Sequence, residues 1–63
     1  MLVQIFFSDG AMDQLHVARI PVKGDCLCIR THTWEVSNVT LVATPQQLTK
    51  YHVTAYVDVS IKS

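Results

Sequence analysis

Apolar and polar residues alternate along most of this chain with the period of a β-strand. The clearest run is Tyr51–Ile61, in which every second residue is apolar or aromatic and most of the others are polar. Alternation over eleven residues predicts a strand with one buried and one solvated face. The run Leu2–Phe7 predicts another strand, apolar on both faces. We expect it to be covered on both sides, or to place Leu2 and Phe6 against a second subunit.

A bend that leads directly into a strand is predicted over Ile20–Ile29. Pro21 has no backbone N–H and therefore belongs at a strand edge or in a turn. Gly24, within a Lys-Gly-Asp sequence, supplies the positive φ that a tight reversal needs. Beyond this turn, apolar residues alternate with cysteines, so we predict a strand over Asp25–His32.

Three further segments complete the predicted elements. Ala11–Arg19 carries both helical and alternating spacing, but it has no cap and precedes a proline, so we predict a loop leading into a short strand. Trp34–Thr44 is rich in β-branched residues, and its apolar phase slips by one residue near Ser37-Asn38, which predicts a bulge and a sharp bend. Thr-Pro-Gln-Gln at 44–47 fits a capping box and predicts one short helical turn near residues 45–48.

These segments predict an all-β fold for the whole chain, 1–63, as a single domain. The predicted architecture is a small antiparallel, strongly bent sheet of four to five strands that closes into a barrel. A chain of 63 residues buries only about 60% of the surface that it exposes when unfolded. Because 49% of the residues are hydrophobic and 16% are charged, apolar side chains are expected at the surface, where a partner covers them.

Two stretches carry a resemblance to a known fold. Ala18–Ile29, an apolar-Pro-x-Lys-Gly-Asp sequence followed by an alternating strand, resembles the diverging turn and second strand of SH3-like small barrels. Trp34–Val39 looks like the bent strand that follows in many of them. The resemblance implies an SH3-like barrel. It does not imply binding of proline-rich ligands, because the acidic, aromatic-rich loop and the paired Trp of peptide-binding SH3 domains are missing, and an Sm-type RNA-binding motif is missing too.

One shorter likeness involves Val3–Phe6, which is similar to a Val-Gln-Ile-Tyr stretch of the small plasmid-borne dihydrofolate reductases. That stretch lies near the other end of those chains, and the likeness stops at these residues, so no reductase activity is carried over. No arrangement of nucleophile, base and orienting group stands out elsewhere, and a barrel of this size leaves little cavity. We therefore predict a protein that is not an enzyme and needs no cofactor.

The charges of the chain cancel, with five basic and five acidic residues. Nucleic-acid-binding domains usually carry a basic excess, which this chain lacks. A nucleic-acid-binding barrel is therefore the alternative hypothesis rather than the first one. Its site would combine a stacking platform with basic side chains, from Arg19, Lys23, Arg30, Trp34 and Lys50. The chain has neither a basic amphipathic helix nor a run of transmembrane length, so we expect no membrane partner.

Cys26, Cys28 and His32 form the one ligand-like cluster, on one face of a single predicted strand. Zinc needs four ligands, and three spread along a strand lie too far apart for one ion. We therefore expect buried cysteines that act as small hydrophobes and a solvated histidine, with an interfacial metal or small-molecule site as the third hypothesis. Cysteines two apart on a strand fit a disulfide poorly, which favours reduced thiols and a cytoplasmic protein.

The predicted function is binding. We expect a self-associating, protein-binding accessory protein, of the kind that mobile elements carry, which works as a homo-oligomer. The predicted interface residues are Leu2, Phe6 and Tyr56, since aromatic side chains with one end in water are favoured at protein contacts.

Overall fold

The computed structural model describes residues 1–42 and 53–62, and in these ranges all regular structure is β-strand. Five strands occur there: β1 Leu2–Phe7, β2 Met12–His16, β3 Cys26–Ile29, β4 His32–Leu41 and β5 Val53–Ile61. They form one sheet in the order β2-β1-β5-β4-β3. The sheet is strongly curled into a half-barrel, which is compatible with a small β-barrel fold. The all-β prediction is confirmed, whereas the helical turn predicted near residues 45–48 lies outside the described residues.

The prediction of an antiparallel sheet is wrong at one pair of strands. Within the described ranges, β1 pairs with β5 in parallel, and the other three pairings are antiparallel. Alternation along a strand shows which residues face the core, but it carries no information about strand direction. β5 runs opposite to β4 along one of its edges. Along its other edge β5 pairs with β1, which runs in the same direction as β5. The two edge strands, β2 and β3, form no ladder with each other in the described part, so the sheet stays a half-barrel.

The bulge predicted near Ser37-Asn38 is present in β4. Val36 pairs with Val59 and Asn38 pairs with Asp58, which leaves Ser37 as the extra residue. The Ser37 hydroxyl donates to the Asp58 carbonyl at 3.1 Å, so the bulge is tied to the neighbouring strand. Because of the extra residue, Val39 and Leu41 lie on the same face as Val36, which is the phase slip seen in the sequence.

The hydrophobic core lies on the concave face of the sheet. Ile5 and Val57 pair across β1 and β5 at its centre, and both are fully buried. The segment of residues 17–25, which joins β2 to β3, packs Val17 and Ile20 against this face, and Pro21 is buried. The buried hydrophobic residues are Val3, Ile5, Phe7, Ile29, Val36, Ala55, Val57 and Val59.

The segment Ala11–Arg19 has its strand at the opposite end from the one predicted. A three-residue turn follows Phe7, with Gly10 at a φ of 94° and its N–H donating to the Phe7 carbonyl at 3.0 Å. Such a turn, with glycine in the left-handed region, is typical of a tight hairpin. The chain therefore enters β2 at once and forms its loop afterwards. Within the described residues, no helix is long and apolar enough to span a bilayer.

Candidate interaction surface

The convex face of the sheet carries a partly exposed apolar patch. It consists of Leu2, Phe6, Met12 and Tyr56, which we call the convex patch. Met12 is directly opposite Phe6 in the β1–β2 ladder, and the rings of Phe6 and Tyr56 are 5.9 Å apart between centroids, tilted by 49°. Met12 is 63% exposed and Tyr56 is 38% exposed. The patch thus spans the three neighbouring strands β2, β1 and β5.

The predicted interface residues all belong to this patch, because residues of even number on β1 and β5 face away from the core. Leu2 and Phe6 are partly buried against their neighbours, and Tyr56 is exposed. Sequence reasoning missed Met12, because the start of its segment was predicted to be a loop. A hairpin reading of the Asp-Gly turn would have placed Met12 opposite Phe6.

A pair of neutral amides lies between Leu2 and Phe6 on the same face. Gln14 donates through Nε2 to Oε1 of Gln4 at 3.2 Å, and Gln4 donates through Nε2 to the carbonyl of Asp13 at 3.0 Å. These bonds join β1 to β2 and give both amides a hydrogen-bond partner. The polar atoms are therefore already partly satisfied before any partner arrives, which lowers the cost of covering them.

The outer edge of β2 is protected by Asp13. The Ala11 carbonyl accepts a bond from Phe7 and the Val17 N–H donates to Met1, so the odd-numbered residues of this segment face β1 with their backbone groups. The even-numbered Gln14 therefore directs its N–H outward. Asp13 accepts that N–H through Oδ1 at 2.9 Å, and its Oδ2 accepts a bond from Arg30 at 2.8 Å. A charged side chain at an edge strand hinders pairing with a further strand. The β2 edge is therefore protected against pairing with a further strand.

The basic residues proposed for nucleic acid are separated by β3. Arg19 precedes that strand and forms an ion pair with Asp25 at 3.2 Å. Arg30 follows it and forms an ion pair with Asp13 at 2.8 Å. Lys23 lies in the exposed turn before β3, and Lys50 is outside the described residues. Each of these two guanidinium groups already has a carboxylate partner.

Trp34 is partly buried and packs against the core. Its ring meets the Phe7 ring edge-on, with 4.7 Å between centroids, and its indole Nε1 donates to the Ile29 carbonyl at 3.3 Å. Arg30 places its guanidinium carbon 5.5 Å from the centroid of the same Phe7 ring. These contacts cover one end of the concave face.

Asp25 organises the turn before β3. Its Oδ2 accepts the Val22 N–H at 3.0 Å and a bond from Arg19 at 3.2 Å. The Val22 N–H, with help from the Arg19 guanidinium, lowers the pKa of the Asp25 carboxyl, and partial desolvation opposes this. Gly24 has a φ of 95°, which is the conformation predicted for it.

Two expectations about the ligand-like cluster were wrong. Cys26 and Cys28 are exposed, free thiols, because Leu27 and Ile29 take the core-facing positions of β3. His32 is opposite Ile29 rather than on the cysteine face, because the chain reverses between them. Among the described residues, no group of three His, Cys, Asp or Glu side chains is arranged to hold a metal ion.

The fold and the surface together define a small all-β half-barrel with an apolar convex patch. No family model, curated protein or solved structure matches this chain.

Proposed function

We propose that this chain is a non-enzymatic, protein-binding module that associates with a second copy of itself through the convex patch. The observation that carries the proposal is the contact between Phe6 and Tyr56, flanked by Met12, on the face opposite the core. Aromatic residues and methionine are enriched at the centres of protein interfaces. The predicted homo-oligomer and the predicted protein partner are thus one and the same chain.

The convex patch is smaller than a stable interface. Such an interface covers about 800 Å² and about 20–30 residues on each partner, whereas the patch consists of four residues. The interface therefore includes the Gln4–Gln14 pair and the exposed residues around it.

Charge favours a second copy as the partner. The chain has a formal net charge of zero, so two copies approach without overall repulsion. In a two-fold dimer the same patch meets itself, so its centre must be self-complementary, and the patch is apolar with a pair of neutral amides. Two sheets packed face to face about 10 Å apart would bury Phe6 and Tyr56 between them.

Sedimentation equilibrium over a wide range of concentrations tests the proposal. The wild-type chain is expected to form dimers, and Phe6→Ser is expected to raise the dimer Kd at least tenfold. Val22→Ser is the matched control, because Val22 is an apolar side chain that is 58% exposed but lies in the 17–25 segment. Circular dichroism of each variant verifies that it is folded. A wild-type chain that stays monomeric, or equal weakening by both substitutions, would contradict the proposal.

Two finer predictions accompany this function as proposals. Kinship with SH3-like barrels is supported by the curled sheet and by the bulge in β4, and the parallel β1–β5 pair is a departure from the antiparallel sheet that was expected. A cytoplasmic location remains a prediction. The free thiols of Cys26 and Cys28 agree with it, because cysteines are kept reduced in the cytosol.

A further inference from the structure

An exposed pair of thiols lies on the convex face, at the opposite edge of the sheet from β2. Cys26 and Cys28 alternate with core-facing residues on β3, which is an edge strand of the sheet. Both side chains therefore extend from the same face, into solvent. The convex patch is on β2, β1 and β5, so the thiol pair is a separate feature with its own chemistry.

The spacing of the two cysteines suits a bridging ion better than a disulfide. Two rises along a strand separate their Cα atoms by about 6.7 Å, at the upper limit of the disulfide range. A disulfide needs its sulfurs about 2.05 Å apart. A metal ion between two thiolates lets the sulfurs remain up to about 4.6 Å apart when each bond has the length of about 2.3 Å that zinc forms to sulfur. Side chains leaning towards each other from neighbouring same-face positions can reach that separation without distortion of the strand.

The neighbouring charges are compatible with a bound metal dithiolate. Lys62 places its Nζ 3.6 Å from the Cys26 Sγ, and Glu35 is directly opposite Cys26 on β4. Thr33 is opposite Cys28. Two thiolates around a monovalent cation carry one net negative charge, and the Lys62 ammonium lies beside it. The Glu35 carboxylate adds a negative charge on the same face.

We propose that Cys26 and Cys28 bind one Cu(I) ion per chain. Soft thiolate ligands select Cu(I), and a pair of them satisfies this ion, whereas they supply only half of a tetrahedral zinc shell. Each thiol releases its proton to solvent as its sulfur coordinates the ion, and the ion stays Cu(I) throughout. The proposal does not depend on dimer formation, because the residues of the convex patch take no part in it.

An anaerobic titration with Cu(I), in competition with a coloured Cu(I) chelator, tests the site. The wild-type chain is expected to withdraw one equivalent of Cu(I) from the chelator. Cys28→Ser is expected to weaken binding at least tenfold, because one thiolate remains. The double variant Cys28→Ser/Thr40→Cys keeps two exposed thiols on the convex face, but places them on neighbouring strands, roughly four strand rises of 3.3 Å apart along the strand direction. It is expected to bind as weakly as Cys28→Ser.

Three outcomes would overturn the proposal. They are failure of the wild-type chain to compete for Cu(I), wild-type affinity in the double variant, and a stoichiometry of one ion for two chains. Circular dichroism verifies that each variant is folded, and Phe6→Ser is expected to bind Cu(I) as the wild type does. Loss of dimerisation with retained Cu(I) binding would therefore separate this site from the proposed function.

Discussion

At the scale of single residues, the tight turn between β3 and β4 is the most unusual feature of the backbone. Ile29 pairs with His32, so the turn itself is Arg30 and Thr31, with φ angles of 54° and 73°. Two-residue hairpins favour asparagine and glycine at such positions, and a β-branched residue there is strained. The residues that normally mark this turn are missing, and for this reason the strand predicted over Asp25–His32 extends past it.

Replacing Thr31 with glycine is expected to stabilise the protein by about 1 kcal/mol, because glycine adopts a positive φ without strain. The measurement is the free energy of unfolding from urea denaturation monitored by circular dichroism. Thr33→Gly is the control, since Thr33 lies in β4 and glycine weakens an ordinary strand. A Thr31→Gly variant that is less stable than the wild type would show that the turn is not strained.

Asp25 gives the stability of the protein a dependence on acid pH. The Val22 N–H and the Arg19 guanidinium hold the pKa of this carboxyl below its ordinary value of 3.8. Because the pKa is lower in the folded chain than in the unfolded chain, the stabilisation is complete above that value. It is lost as the pH falls below 3.8 and through the pKa of the folded state.

Asp25→Asn is therefore expected to lose less stability than the wild type when the pH is lowered from 5 to 2, which thermal melts across this range would measure. Arg19→Met should retain part of the dependence, since the Val22 N–H has the larger effect on the pKa. An acid profile of Asp25→Asn as steep as that of the wild type would contradict this assignment.

At the scale of elements, the sequence predicted which side of a strand faces the core, but not which strands lie next to each other in the sheet. The alternation in β5 placed Val57 and Val59 on the buried face, where both are found. The alternation in β1 left both faces apolar, and the structure buries the face of Val3 and Ile5. The phase slip near Ser37 located the bulge in β4. Strand order and direction depend on pairings between segments that are distant in the sequence, and no local pattern records them. The parallel β1–β5 pair was missed for this reason.

The two edge strands are joined through an ion pair, although they share no ladder in the described residues. Asp13 belongs to β2, and Arg30 directly follows β3. Both side chains are partly exposed, so the pair is expected to contribute about 0.2–1 kcal/mol. Its contribution to the fold is therefore mainly to orient the edges, and the core provides most of the stability.

A double-mutant cycle of Asp13→Ala and Arg30→Ala measures this pair. We expect a coupling free energy below about 1 kcal/mol that becomes smaller in high salt, since exposed ion pairs are screened. Asp13→Ala alone should also increase non-specific association, because it frees the outward N–H of Gln14 at the β2 edge. Strictly additive effects on unfolding would mean that the two edges are not coupled.

At the scale of the whole molecule, the candidate site was partly predictable. Alternation grouped Leu2 with Phe6 and placed Tyr56 on the polar side of its strand, because the side a residue faces depends only on whether its number is odd or even. Met12 was missed because its place beside Phe6 depends on the hairpin register. The prediction that Cys26 and Cys28 are buried is wrong because residue type alone does not decide burial, and their neighbours on β3 occupy the core face.

The small core makes the whole molecule sensitive to a single buried side chain. At about 0.05–0.15 kcal/mol per residue, the 63-residue chain has a stability of roughly 3–9 kcal/mol. Ile5 is fully buried and opposite Val57, so Ile5→Val should cost about 1 kcal/mol and Ile5→Ala about 2–5 kcal/mol. Ile5→Ala is thus expected to remove from a quarter of the stability to all of it, whereas Val22→Ala, at an exposed position, should change it by less than about 0.5 kcal/mol. Urea denaturation of the three variants at one protein concentration measures the differences, and equal midpoints for Ile5→Ala and Val22→Ala would show that the concave face is not the core.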